Sequence, residues 1–187
     1  MMTWKIFILT RANIFCMPVT KKTKEIILGI DPGFGRVGWG VIIQNGSDWQ
    51  AVNYGCIETF ATDSFVDRLV ELYEAIKKII KKYQPTRMAV EDLFFFKNLK
   101  TAVKVGQARG AILLAGARNG LEVDEFTPLQ VKQALTGYGR AEKGQMQKMV
   151  QAVLKLKQPI KSDDAADALA VALCAGQSLW VKRVSDK

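Results

Sequence analysis

Residues 26–46 read IILGIDPGFGRVGWGVIIQNG, and this stretch decides the fold. Ile26–Ile30 is apolar and rich in β-branched residues, and it stops at Asp31-Pro32-Gly33. A glycine-punctuated turn returns the chain through a second apolar run, Val37–Gln44. Asn45-Gly46 then gives a two-residue hairpin signal, because both central positions of such a turn need positive φ. Trp49–Thr59 follows as a third strand. Three strands joined by short turns predict an antiparallel meander whose first strand carries Asp31 at its carboxyl end.

Beyond the meander the period changes. Leu69, Leu72, Tyr73, Ile76, Ile79, Ile80 and Tyr83 fall on one face of a helix beginning near Asp67. Ser64 and Asp67 form a capping pair, and Gln84-Pro85 stops the helix. Met88–Val90 reads as a short strand ending at Glu91. Thr101–Asn119 reads as a helix closed by Gly120, and its small residues (Ala108, Gly110, Ala111, Ala115, Gly116, Ala117) predict close approach by another backbone. Glu122–Phe126 is a fifth strand, and helices follow around Pro128–Leu135, Glu142–Leu156 and Asp163–Gln177. The class is α/β: a mixed sheet of five strands, antiparallel through the first three and parallel in the last two, flanked by helices.

The 187 residues suit one compact domain. Apolar residues make up 49% and charged residues 24%, which excludes disordered and low-complexity classes. No run is long enough for a membrane-spanning helix. Lys plus Arg is 27 against 18 acids, a net charge of +9, which suggests a polyanionic partner, nucleic acid or an anionic membrane surface, a solvated basic surface being the plainer alternative. There is no histidine, so Ser-His-Asp and Cys-His nucleophiles and imidazole-bound zinc are excluded. Cys16, Cys56 and Cys174 are odd in number and widely spaced, which fits a reducing cytosol. Residues 1–24 are basic and contain no acid; they read as a flexible N-terminal extension, with mitochondrial import as the alternative. The folded domain is expected over 25–180, with a short basic tail at 181–187.

Asp31 and Glu91 end strands at the side of an α/β sheet where ligand sites lie. Asp164 and Asp167, at i and i+3 near the start of the last helix, share one face, and Ala165, Ala166 and Ala168 let that helix sit close to the sheet. By spacing alone Asp163 and Asp167 also share a face. Taken singly, each acid has a plainer reading: a turn residue, a solvated strand end, a helix cap. Four carboxylates converging from three elements need cations to coexist, and hard oxygen donors suit magnesium or manganese. Two such ions activate water and stabilise the leaving oxygen of a phosphodiester without histidine. Phe94–Phe96, followed by Lys97, Lys100 and Lys104, offers a stacking ring and cations for a phosphate backbone; a buried aromatic run and a solvated basic face are the plainer alternatives. Arg109 reads as structural. Gly-x-Asp-x-Gly after a first strand also occurs in actin- and sugar-kinase-like ATPases, but those need a second related lobe, and this chain has no internal repeat.

Gly29-Ile30-Asp31-Pro32-Gly33, Val90-Glu91-Asp92-Leu93-Phe94, Gly106-Gln107-Ala108-Arg109-Gly110 and Asp164-Ala165-Ala166-Asp167-Ala168-Leu169-Ala170 together resemble the signature segments of the RuvC family, Holliday-junction resolvases of the RNase H-like superfamily. The likeness runs from about Glu25 to about Gln177. It implies an RNase H-like fold and a cytoplasmic bacterial homodimer that nicks two like-polarity strands of a four-way DNA junction symmetrically, in homologous recombination and DNA repair. It further implies two Mg²⁺ per site, Mn²⁺ substituting, and a branch-migration helicase as partner. The family's catalytic and metal-binding carboxylates fall on Asp31, Glu91, Asp164 and Asp167. Its base-stacking aromatic falls on Phe94, with Phe95 and Phe96 beside it, and its phosphate-contacting lysines fall on Lys132 and Lys143. Lys97 joins the expected DNA contacts. Other RNase H-like nucleases and a non-catalytic junction binder are the competing readings; the complete carboxylate set argues against the binder.

Overall fold

The structure is a computed structural model that describes residues 24–92 and 99–185. The expectations for Phe94–Phe96 and Lys97, and nearly all of the basic leader, lie outside the described residues. The first strands are β1 (Ile26–Asp31), β2 (Arg36–Asn45) and β3 (Asp48–Glu58). Helix α1 (Phe65–Tyr83), strand β4 (Arg87–Glu91), helix α2 (Leu99–Arg118) and strand β5 (Glu122–Phe126) follow. The chain closes with α3 (Pro128–Thr136), α4 (Lys143–Val153) and α5 (Asp163–Ser185).

The strands lie in the order β3-β2-β1-β4-β5, with β1–β3 antiparallel and β4 and β5 parallel to β1, as the sequence predicts. The hairpin turn lies one residue beyond the Asn45-Gly46 signal: Asn45 still pairs with Asp48, the two turn residues are Gly46 and Ser47, and of these Gly46 alone takes a positive φ, 65°. Ser64 caps α1, its Oγ accepting from the Asp67 amide at 3.2 Å, and Gln84 ends the helix in the left-handed conformation.

Strand alternation sorts side chains between two layers. Leu28 and Ile30 of β1, and Met88 and Val90 of β4, pack with Leu72 and Ile76 of α1 and Ile112 of α2. Ile27 and Ala89 turn to the other face, toward Leu169, Val171 and Leu173 of α5. Asp31 has the parity of Ile27, and Glu91 that of Ala89. Both carboxylates are therefore directed to the α5 side, and the register Ile30↔Val90 puts the two strand ends side by side.

Two expectations need correction. The last helix does not stop at Gln177; it continues through the tail to Ser185, because nothing in Ser178-Leu179-Trp180-Val181 breaks a helix. The close backbone approach also belongs to α5 rather than α2. A Cβ at Gly29 would meet the Ala172 amide nitrogen at 2.7 Å and its Cβ at 2.8 Å, and one at Gly38 would meet the Asp164 Cα at 3.1 Å. On α2, Gly116 faces the Met88 and Val123 side chains, and Gly110 faces open space. Glycines on the strands, opposite alanines on α5, let this helix lie against the sheet.

Candidate active site

Three elements meet at the carboxyl ends of β1 and β4. The α5 helix presents its first turn there because Gly38 leaves room for the Asp164 backbone. Ser162 Oγ accepts from the Ala165 amide at 3.4 Å, at the edge of hydrogen-bond length, as the helix begins. The Glu91 carboxyl donates a hydrogen bond to Asp31. Burial first, then the neighbouring Asp167 and Asp164 charges, push Asp31 up to about 7. Burial, then Asp31 and Asp167, push Glu91 up to about 8. Burial also raises Asp167, partly offset by Lys143. Acids crowded in this way favour either a shared proton or a cation.

The two candidate spacings on α5 separate clearly. Asp163 turns outward to α4, where it accepts from Gln147 Nε2 at 2.8 Å and pairs with Lys143 Nζ at 3.1 Å, contacts that lower its pKa. Asp167 turns inward and shares a cleft of about 220 Å³ with Glu91, Lys132, Lys143, Pro128, Val131, Met146 and Ala170. Asp164 faces the sheet edge, accepting from Arg36 Nε at 2.8 Å and from the Cys56 thiol at 3.7 Å. The lysines expected from α3 and α4 are thus in place: Lys132 lines the cleft, and Lys143 Nζ also lies 3.5 Å from Asp167. Thr127 fixes the start of α3 through a capping box with Gln130, which sets the direction from which Lys132 enters.

Arg36 and Arg109 contact this machinery without having been picked out for it. Arg36 bridges Asp164 and Glu58, its Nη1 lying 2.7 Å from Glu58. The buried guanidinium of Arg109 on α2 pairs with Asp92 and Glu125, and its Nε donates to the Glu91 carbonyl at 3.4 Å. That pairing agrees with a structural role for Arg109. Its signal was Gly106–Gly110 itself; Arg36 has none, because its partner lies 128 residues away.

Among the described residues no group of three or more acids or thiols is drawn in to ion-holding distance. The donor set nevertheless fits a hard divalent cation: oxygen ligands only, two of them protonated at unusually high pH by burial and then by mutual crowding.

The profile described as Crossover junction endodeoxyribonuclease RuvC matches residues 27–175. A protein of that name from Ruminiclostridium cellulolyticum is 51% identical over 153 residues, covering 82% of this chain and 92% of its own. Its namesake from Desulforamulus reducens is 54% identical, covering 81% and 93%. Among solved structures, RuvC of T. thermophilus in complex with a Holliday junction substrate aligns with a TM-score of 0.79 and 33% identity, over 83% of this chain and 94% of that one. The yeast mitochondrial resolvase Ydc2 shares the fold at a TM-score of 0.58 and 15% identity. Strand order, the carboxylate-bearing strand ends and the length of these matches agree, and the chain belongs to the RuvC family of crossover junction endodeoxyribonucleases.

Proposed function

We propose that this chain is a metal-dependent endonuclease that resolves four-way DNA junctions in recombination and repair, by nicking two strands of like polarity. The observation that carries this reading is the gathering of Asp31, Glu91, Asp164 and Asp167 around the ends of β1 and β4, beside a cleft with Lys132 and Lys143. These four carboxylates are the catalytic and metal-holding groups, suited to two Mg²⁺, with Mn²⁺ substituting. When bound, such ions lower the pKa of water and stabilise the leaving oxygen of a phosphodiester. The residues themselves do the rest. Asp31 and Glu91, kept protonated to unusually high pH by burial and by each other, would hold the ions in their deprotonated form. Asp167, at the cleft wall, faces the space where a phosphate enters. Lys132 and Lys143 supply positive charge for that phosphate. Phe94 is the residue for stacking on a junction base, and Lys97 extends the basic track.

The substrate reading draws on the family and on the relative solved with its junction. Symmetric cutting needs two copies. Exposed apolar side chains on two helices support a homodimer: Val66 and Val70 on α1, and Val103 and Leu114 on α2, all stand open to solvent. Leu114→Glu should give a monomer in sedimentation velocity; an unchanged dimer would place the interface elsewhere. We place the nuclease domain at 25–180, with α5 running on from it into the basic tail. A branch-migration helicase is the partner the family implies, and the bacterial cytoplasm is the proposed location. No helix among the described residues is long and apolar enough to cross a membrane.

The proposal is tested with Asp31→Asn, which keeps the side-chain size while weakening metal binding. Cleavage should vanish while junction binding persists; loss of both would make Asp31 structural.

A further inference from the structure

We infer that Arg68, on α1, is a positioning residue for Asp31, acting through the loop that follows β1; the inference rests on Asp31 being catalytic. Arg68 is unusual. It is 9% exposed, yet among the described residues no carboxylate is a hydrogen-bond or ion-pair partner. Its Nε donates to Thr59 Oγ1 at 3.0 Å and its Nη2 to the Phe34 carbonyl at 3.3 Å. Its Cζ lies 3.7 Å from the centre of the Phe34 ring. A buried cation held by neutral groups is costly, because water is lost without an opposite charge to replace it.

Every one of those partners serves the same short segment. Thr59 Oγ1 itself donates to the Phe34 carbonyl at 3.1 Å, and the Thr59 amide donates to the Gly35 carbonyl at 3.0 Å. The Phe34 ring stacks on Phe65 of α1 at 5.0 Å, with Lys104 Nζ of α2 5.6 Å from its centre. The guanidinium plane thus clamps Phe34 from both carbonyl and ring, and Thr59 links the clamp to the end of β3. Phe34 lies three residues after Asp31, across Pro32 and Gly33. Fixing Phe34 fixes the exit of the chain from Asp31, and with it the angle at which that carboxylate meets Glu91. A planar, multi-donor group is required: a lysine keeps the charge but gathers its three donors on one nitrogen and has no stacking plane.

The test uses full-length Arg68→Lys and Thr59→Val, with Asp31→Asn as control. Readouts are kcat and KM on a synthetic four-way junction, Mn²⁺ binding by calorimetry without DNA, and thermal unfolding. A displacement of order 1 Å at a reacting group costs about 10²-fold in rate. Arg68→Lys should lower kcat by about ten- to a hundredfold with KM nearly unchanged. It should also weaken Mn²⁺ binding, and Thr59→Val should move both quantities the same way by less. A folded Arg68→Lys with unchanged kcat and Mn²⁺ affinity would overturn the inference. If Arg68→Lys does not fold, Thr59→Val decides by the same two readouts. Should Asp31→Asn cut normally, the catalytic assignment itself fails; an inactive Asp31→Asn beside an unaffected Arg68→Lys sinks only the role of Arg68.

Discussion

The packing of α5 on β2 makes a prediction that links the core to the chemistry. In Gly38→Ala the new Cβ would sit 3.1 Å from the Asp164 Cα and closer still to its carbonyl. Carbon atoms prefer about 3.5–4.0 Å, so the first turn of α5 must retreat by roughly 1 Å. The obstacle is backbone, so no rotamer change relieves it. Such overpacking costs about 1–3 kcal/mol, a fall in Tm of several degrees for a chain of this size. The larger effect is on cleavage, because Asp164 moves with the helix: about 10²-fold. Gly40→Ala is the matched control. Its Cβ would meet chiefly the flexible Leu169 side chain, with Cδ2 at 2.6 Å and the Leu169 Cα at 3.3 Å, more than a turn beyond Asp164. Both variants are assayed by thermal unfolding and by junction cleavage at saturating Mg²⁺. Gly40→Ala should lose stability and keep most of its rate; Gly38→Ala should lose both. A Gly38→Ala protein that cuts as fast as the parent would refute the link between helix seating and catalysis.

Further expectations follow from the carboxylates. Metal-free Glu91→Gln should melt at a higher temperature than the parent at alkaline pH, since one of the crowded acids is neutralised, and it should not cleave; a lower melting temperature would argue against crowding. A carboxyl whose pKa is higher folded than unfolded binds its proton more tightly in the folded state, so what Asp31 and Glu91 contribute to metal-free stability is fully present below the ordinary carboxylate range and is lost as pH rises to about 7 and about 8. Mg²⁺ should therefore raise Tm more above pH 8 than below pH 7, and an equal rise at both would remove Asp31 and Glu91 as ligands. Asp163→Asn should leave the cleavage rate within about threefold of the parent, because a solvent-exposed pair contributes little; a collapse like that of Asp31→Asn would return Asp163 to the site.

Much of this arrangement is legible in the sequence because it is periodic. The parity of Ile27 and Asp31, and of Ala89 and Glu91, is enough to send both acids to one face, and Gly46 marks the turn that sets the meander, one residue beyond the Asn45-Gly46 signal. The α5 acids are different. Spacing alone permits Asp163 or Asp164 with Asp167, and only tertiary partners separate them: Lys143 and Gln147 draw one outward, Arg36 holds the other. The glycines of α2 suggested close helix packing, whereas the closest approach came from strand glycines whose partners lie over a hundred residues away. Arg68 carries no local signal, since its role rests on Thr59 and Phe34 meeting across three elements. The end of α5 was missed because no glycine or proline marks it.

The central claim is tested most directly by incubating the purified protein with a labelled four-way junction and a matched linear duplex, each with Mg²⁺ or with EDTA. The account predicts paired, symmetric nicks in the junction alone, present with Mg²⁺ and absent with EDTA. Binding without cutting in Mg²⁺ or Mn²⁺, or equal cutting of the duplex, would contradict it.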